Sequence, residues 1–72
     1  MFKVGDKVKV IEENLTYQNK EEYKKIKEFI KGYHDLFEVS YIYKYYDSLI
    51  EIKKPNGQFM PFFEKELEKV VE

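Results

Sequence analysis

In Lys7-Val8-Lys9-Val10 apolar and basic residues alternate, which is the period of a strand with one buried face. Val8 and Val10 are expected to point inward and Lys7 and Lys9 into solvent, with Gly5-Asp6 supplying a turn just before. A polar connection over 12–18 leads to Asn19, and Glu22 three residues later makes a variant of the capping box, so a helix is predicted from Lys20. At about 100° per residue, Tyr23, Ile26, Phe29 and Ile30 fall on one arc, which Tyr33 extends. Gly32 is placed to end this helix in the left-handed conformation.

From Phe37 the period returns to two. Phe37, Val39, Tyr41 and Tyr43 share one side and Glu38, Ser40, Ile42 and Lys44 the other, which predicts a long second strand with Tyr41 and Tyr43 filling the interior. Tyr45-Tyr46-Asp47-Ser48 reads as a turn, and 49–53 as a third strand with Ile50 and Ile52 on one face. Pro55-Asn56-Gly57 predicts a type I turn with glycine at the left-handed position, closing a hairpin to Phe59-Met60. Pro61 cannot donate to a ladder, so it ends or edges the fourth strand. A single helical or 3₁₀ turn over 62–67 and a short strand over 68–71 complete the order.

At 72 residues the chain is read as one domain, 1–72. Seven tyrosines and six phenylalanines mean that a few large rings supply much of the buried area, which suits the narrow interior of a small barrel. The absence of cysteine excludes disulfides and thiolate metal sites, which a small secreted domain would usually need. There is no apolar run long enough to cross a bilayer, and the first residues lack the pattern of a secretion signal, so a cytoplasmic protein without a membrane partner is expected. A formal charge of −1 removes the overall basic footprint of a nucleic-acid coat protein. The bias toward Lys, Tyr, Ile, Glu and Asn, with no arginine, is similar to that of low-GC bacteria and their phages.

Two stretches carry a family likeness: Val4-Gly5-Asp6-Lys7-Val8 at the start, and Phe62-Phe63-Glu64-Lys65-Glu66-Leu67-Glu68-Lys69-Val70 at the end. Together with the order of elements they resemble small bacterial and phage-encoded SH3-like proteins. The resemblance implies a mainly β fold, α+β by content: an SH3-like five-stranded barrel with one inserted helix of about three turns, occupying 19–32 in the first loop. It covers both ends, and the helical middle departs from the irregular loop usual in the family. The chain lacks the Ala-Leu-Tyr-Asp-Tyr-like stretch and the tryptophan of proline-peptide-binding SH3 domains, and the glycine pair of the ribosomal branch. The competing architecture is an open antiparallel sheet crossed by the helix, and pairing between the first and last strands decides between them.

Catalysis finds little support in the residues. His34-Asp35 could form part of a proton relay, yet there is no cysteine, and Ser40 and Ser48 have no nucleophile context. Glu64, Glu66 and Glu68 read as solvated positions, and one histidine without a recognised loop makes no metal site. No cofactor or small-molecule substrate is indicated. Lys20, Lys24, Lys27 and Lys31 lie in a strip of about 60° on the helix, a ridge suited to phosphates or to an acidic protein surface. The plain alternative is a solvated face eased by Glu21 and Glu28. Tyr17, Tyr45 and Tyr46 fall in loops that flank the usual SH3-like groove, where rings with a polar tip suit protein interfaces or stacked bases, the alternative being core or rim packing. The expectation is a non-enzymatic module, encoded by a phage or mobile element, that binds a host or phage protein through the inserted helix and neighbouring loops. An inhibitor of a host defence system fits this description. The alternative is a nucleic-acid-binding accessory domain using the helix lysines with Lys7 and Lys9.

Overall fold

The alternation at the start of the chain produces strand β1, Lys7–Val10, with Val8 fully buried and Lys7 and Lys9 in solvent. The computed structural model describes residues 2–33, 36–44 and 49–70. After β1 come a 3₁₀ turn at Glu12–Asn14, helix α1 at Lys20–Ile30, β2 at Phe37–Ile42, β3 at Leu49–Lys53 and β4 at Phe59–Phe63. A second 3₁₀ turn, Glu64–Glu66, leads directly into β5, Leu67–Lys69. The strands form one antiparallel sheet in the order β4-β3-β2-β1-β5. The first and last strands do pair, with Val8 opposite Lys69 and Val10 opposite Leu67. β4 and β5 remain as edges, so the architecture is a five-stranded open sheet with one helix, in place of the closed barrel expected from the sequence.

Local chemistry accounts for the helix. Asn19 Oδ1 accepts the Glu22 N–H at 2.9 Å, satisfying a donor that the first turn leaves without a partner. At the other end Gly32 takes φ of 79°, where a side chain would be strained. Ile26, Phe29 and Ile30 are buried against the sheet, and the Phe29 ring lies 5.6 Å from Phe37 and 5.9 Å from Phe62. Each such side chain contributes roughly 1.5–3 kcal/mol by leaving water. The rest of the core comes from Val8, Val39, Ile50, Ile52 and Leu67, so α1 is anchored over the centre of the sheet.

The second strand departs from simple alternation. Val39 pairs with Ile52 but Tyr41 pairs with Glu51, so Ser40 is an extra residue, a β-bulge. Beyond it the faces exchange: Ile42 packs against the core, and Tyr41, expected in the interior, is 50% exposed. The Val4-Gly5-Asp6 turn sits beside this irregularity. Gly5 donates its N–H to the Val39 carbonyl at 2.8 Å, and Val39 donates to the Asp6 carbonyl at 2.9 Å. The motif therefore ties the start of β1 to β2 just before the bulge.

Glu66 corrects another expectation. It is 3% exposed, and its carboxylate accepts the Thr16 N–H at 2.7 Å, the Thr16 hydroxyl at 3.1 Å and the Phe63 N–H at 2.7 Å. The Glu66 carbonyl also accepts the Ile11 N–H at 2.8 Å. These donors allow a carboxylate to stay buried.

The β3–β4 hairpin closes as its turn residues predict. The backbone N–H of Gly57, with φ of 92°, donates to the Lys54 carbonyl at 2.9 Å, and the backbone N–H of Lys54 donates to the Gln58 carbonyl at 2.8 Å. Counted from that pair, the antiparallel ladder turns the Met60 and Phe62 N–H groups toward β3 and those of Phe59 and Phe63 toward the open edge. Pro61 belongs to the outward set, so its missing N–H costs the sheet nothing.

Two surface carboxylates couple this arrangement to pH. Asp6 titrates below its usual range because it accepts the Lys3 N–H, with Lys69 adding to the effect. Glu38 does so because the Lys7 ammonium donates to it. The unfolded chain takes up these protons at higher pH than the folded one, so their contribution is complete above the ordinary carboxylate range and is lost as pH falls through the folded values. Asp6→Asn is expected to lower the urea midpoint at neutral pH and to flatten its fall in acid, measured by urea unfolding from pH 7 downward.

Candidate functional site

The four ridge lysines have unequal surroundings. Lys20, Lys24 and Lys31 are exposed, whereas Lys27 is ion-paired with Glu12 of the first 3₁₀ turn, whose hydrogen bond holds the Lys27 ammonium above its ordinary value. Tyr17 is 52% exposed, and its ring lies 4.6 Å from that of Tyr23 at the border of the apolar arc. Tyr45, Tyr46, His34, Asp35 and Ser48 lie outside the described residues. The structure thus places Tyr17 against Tyr23, and the lysine ridge along the adjoining helix face with one member already paired.

Between α1 and the β3–β4 hairpin runs a cleft of about 700 Å³, lined by Lys24, Lys25, Phe29, Lys54, Phe59 and Met60, together with Glu28 and Gln58. One ridge lysine, Lys24, reaches it. Lys54 is the unexpected member, for it is only 7% exposed. Its ammonium sits 4.8 Å from the centre of the Phe29 ring and 4.7 Å from that of Tyr33. Ring faces stabilise a cation by roughly 0.5–2 kcal/mol, which offsets part of its desolvation. A smaller hollow of about 370 Å³ opens on the other flank of the helix near Lys27, Lys31 and Tyr33.

A second surface lies on the opposite side of the sheet. Tyr41, Glu51 and Pro61 face one another across three strands, and Leu49 faces Phe63, so these side chains share the outer face. Phe59, at the same edge, is 64% exposed, and Phe63 is nearly half exposed. Tyr41 meets Tyr43 edge-on at 5.0 Å. Glu51 is held beneath them by the Ser40 hydroxyl at 2.9 Å and the Tyr43 hydroxyl at 3.3 Å. Burial first, and the Glu51 carboxylate second, push the Tyr43 hydroxyl above its ordinary value, so it remains a donor.

Sequence reasoning missed Tyr41, Phe59, Phe63, Lys25 and Lys54 as surface or cleft residues. For Phe59 and Phe63 a signal existed in the alternation, since residues two positions from Pro61 lie on the same side of the strand and opposite to Met60 and Phe62. For Tyr41 none did, because the bulge is set by a non-local pairing. Among the described residues, no group of three or more His, Cys, Asp or Glu side chains is placed to hold a metal ion, and no helix is long and apolar enough to cross a membrane. Comparison with family models, with curated proteins and with solved structures gave no match.

The exposure of Phe59 implies that the fold does not depend on it. Phe59→Ser is expected to change the unfolding free energy by no more than about 0.5–1 kcal/mol, whereas Phe62→Ala, at a buried position of the same strand, costs about 3–5 kcal/mol. Chemical denaturation of the two variants checks this.

Proposed function

We propose that the chain is a non-enzymatic, SH3-like interaction module that binds a protein partner. The observation that carries the reading is the outer face of the sheet, where Phe59, Pro61 and Phe63 are exposed on the edge strand β4 and Tyr41 is exposed two strands away on β2. Aromatic side chains left in solvent on one side of a small sheet are characteristic of a binding surface. The edge is at the same time poorly equipped to recruit another strand. Of its outward backbone positions, Pro61 has no N–H and the N–H of Phe63 is taken by Glu66 at 2.7 Å. Recognition therefore runs through side chains, and the chemistry of strand addition is blunted.

The SH3-like part of the reading rests on the strand order, on the excursion between β1 and β2 that contains the helix, and on the 3₁₀ turn before β5. The setting we propose is a phage or other mobile element in a bacterial cytoplasm, with a host or phage protein as the partner. Inhibition of a host defence system is the role that such a small, catalytically plain domain suits. The alternative, a nucleic-acid-binding accessory domain, draws on exposed Lys20, Lys24 and Lys31, but the Lys27–Glu12 pair and the formal charge of −1 weigh against it.

Affinity capture from cells that carry the gene tests the choice. The wild-type chain is expected to retain a defined protein, and the folded double variant Tyr41→Ser with Phe63→Ser to lose it, since each aromatic anchor contributes about 2 kcal/mol or more. Capture of nucleic acid in its place, abolished by rising salt and by Gln at Lys20, Lys24 and Lys31, would select the alternative.

A further inference from the structure

The cleft between α1 and the β3–β4 hairpin shares Phe59 with the outer aromatic face and differs from it in being lined by lysines. Three ammonium groups, those of Lys24, Lys25 and Lys54, line it against the one carboxylate of Glu28. Lys54 differs from an ordinary surface lysine. It is more than nine-tenths buried, and its ammonium is held in place by the faces of Phe29 and Tyr33. A ring face attracts a cation but does not satisfy the three N–H donors of an ammonium as oxygen acceptors would. Among the described residues no carboxylate is ion-paired with Lys54, in contrast to Lys7, Lys9, Lys27, Lys53 and Lys69. Nor, among the described residues, does any fully buried side-chain nitrogen or oxygen lack a partner, so the Lys54 ammonium keeps an opening to solvent. Lys54 lines this cleft and also a smaller hollow of about 210 Å³ beside Lys7, Glu38 and Pro55.

We infer that this cleft binds an acidic segment of a protein partner, one in which a carboxylate side chain adjoins an apolar one. The carboxylate meets Lys54, with Lys24 and Lys25 at the rim, and the apolar neighbour lies on Phe29 and Met60. Two features favour a peptide over a nucleic acid. The wall includes Glu28, which repels a run of phosphates, and the cationic centre is one recessed lysine with an apolar floor beside it, not a track of exposed charges. Because Lys54 is already positioned by its rings, little side-chain entropy remains to be lost when a carboxylate arrives. The inference rests on the reading that the partner is a protein.

The test is an amide chemical-shift titration of the ¹⁵N-labelled full chain with the capped peptide acetyl-Glu-Phe-Glu-Phe-amide. Its Gln-for-Glu and Ala-for-Phe counterparts and a short oligothymidylate serve as the other arms. Saturating shifts are expected at Lys25, Phe29, Lys54 and Met60. Both counterpart peptides should bind at least about tenfold more weakly, the Gln form through loss of a charge-assisted hydrogen bond. Lys54→Met, which keeps an unbranched apolar side chain without the charge, should abolish the response. If that variant does not fold, Lys24→Gln with Lys25→Gln replaces it, and a severalfold loss is expected. The inference is overturned if the acidic peptide gives no saturable shift at the cleft, or if its affinity is unchanged by the Gln substitution in the peptide or by the lysine variants. A silent cleft combined with partner capture that depends on Tyr41 and Phe63 overturns this inference alone. Cleft shifts with oligothymidylate and none with peptide overturn both it and the protein-binding reading.

Discussion

One buried carboxylate connects the parts of this small domain. Glu66 lies in the second 3₁₀ turn, yet it holds the N–H and hydroxyl of Thr16 from the far side of the first loop and the N–H that ends β4. Its own carbonyl receives Ile11 at the end of β1, and Asn14 reaches the neighbouring Lys65 carbonyl at 2.9 Å. A charge removed from water is costly unless its oxygens are met by donors, and three are supplied here. The same contacts give the connection from β1 to α1 a fixed path. Without them, a polar stretch with no buried residue in its 3₁₀ turn has little reason to lie in one place.

The position of the helix follows from that path. Thr16 fixes the chain shortly before Asn19, Asn19 caps the first turn, and Ile26, Phe29 and Ile30 then meet the sheet. Phe29 is shared between two functions, packing with Phe37 and Phe62 on one side and carrying the Lys54 ammonium on the other. The cleft between helix and hairpin is thus a by-product of how the core closes, and its charge comes from lysines on both walls. The outer aromatic face depends on a different device, the bulge at Ser40, which turns Tyr41 outward to lie in line with Glu51 and Pro61. The domain presents two surfaces of distinct chemistry on a scaffold of 72 residues.

Much of the fold was legible because its signals are local. The strand Lys7–Val10, the Asn19 cap, the glycine at 32, the strand Leu49–Lys53 and the Pro55-Asn56-Gly57 turn are each specified by neighbouring residues, and each is found where the sequence places it. A local boundary was misread, since Phe62 and Phe63 continue β4 where a turn over 62–67 was expected, but the larger misreadings are non-local. Alternation through 37–44 gives no sign of a residue squeezed out by the pairing with β3. Glu66 looks like one of three solvated glutamates until Thr16, 50 positions away, supplies its donors. A capping-box spacing back to Phe63 was the one local hint. Pairing of the first and last strands was anticipated, but closure of the sheet was not achieved. The exposure of Lys20, Lys24, Lys31 and Tyr17 was legible from helical spacing and loop position, although of these only Lys24 lines the cleft, whereas a buried lysine set over two rings has no sequence signature.

The organising role of Glu66 is tested most directly by native-state amide hydrogen exchange on the wild type and Glu66→Gln, a variant of nearly the same shape without the charge. The predicted result is a global destabilisation of about 1–3 kcal/mol, with the amides of Thr16 and Phe63 losing more protection than those of Ile50 and Ile52 in the core. Unchanged protection at Thr16 and Phe63 in a variant as stable as the wild type would contradict it.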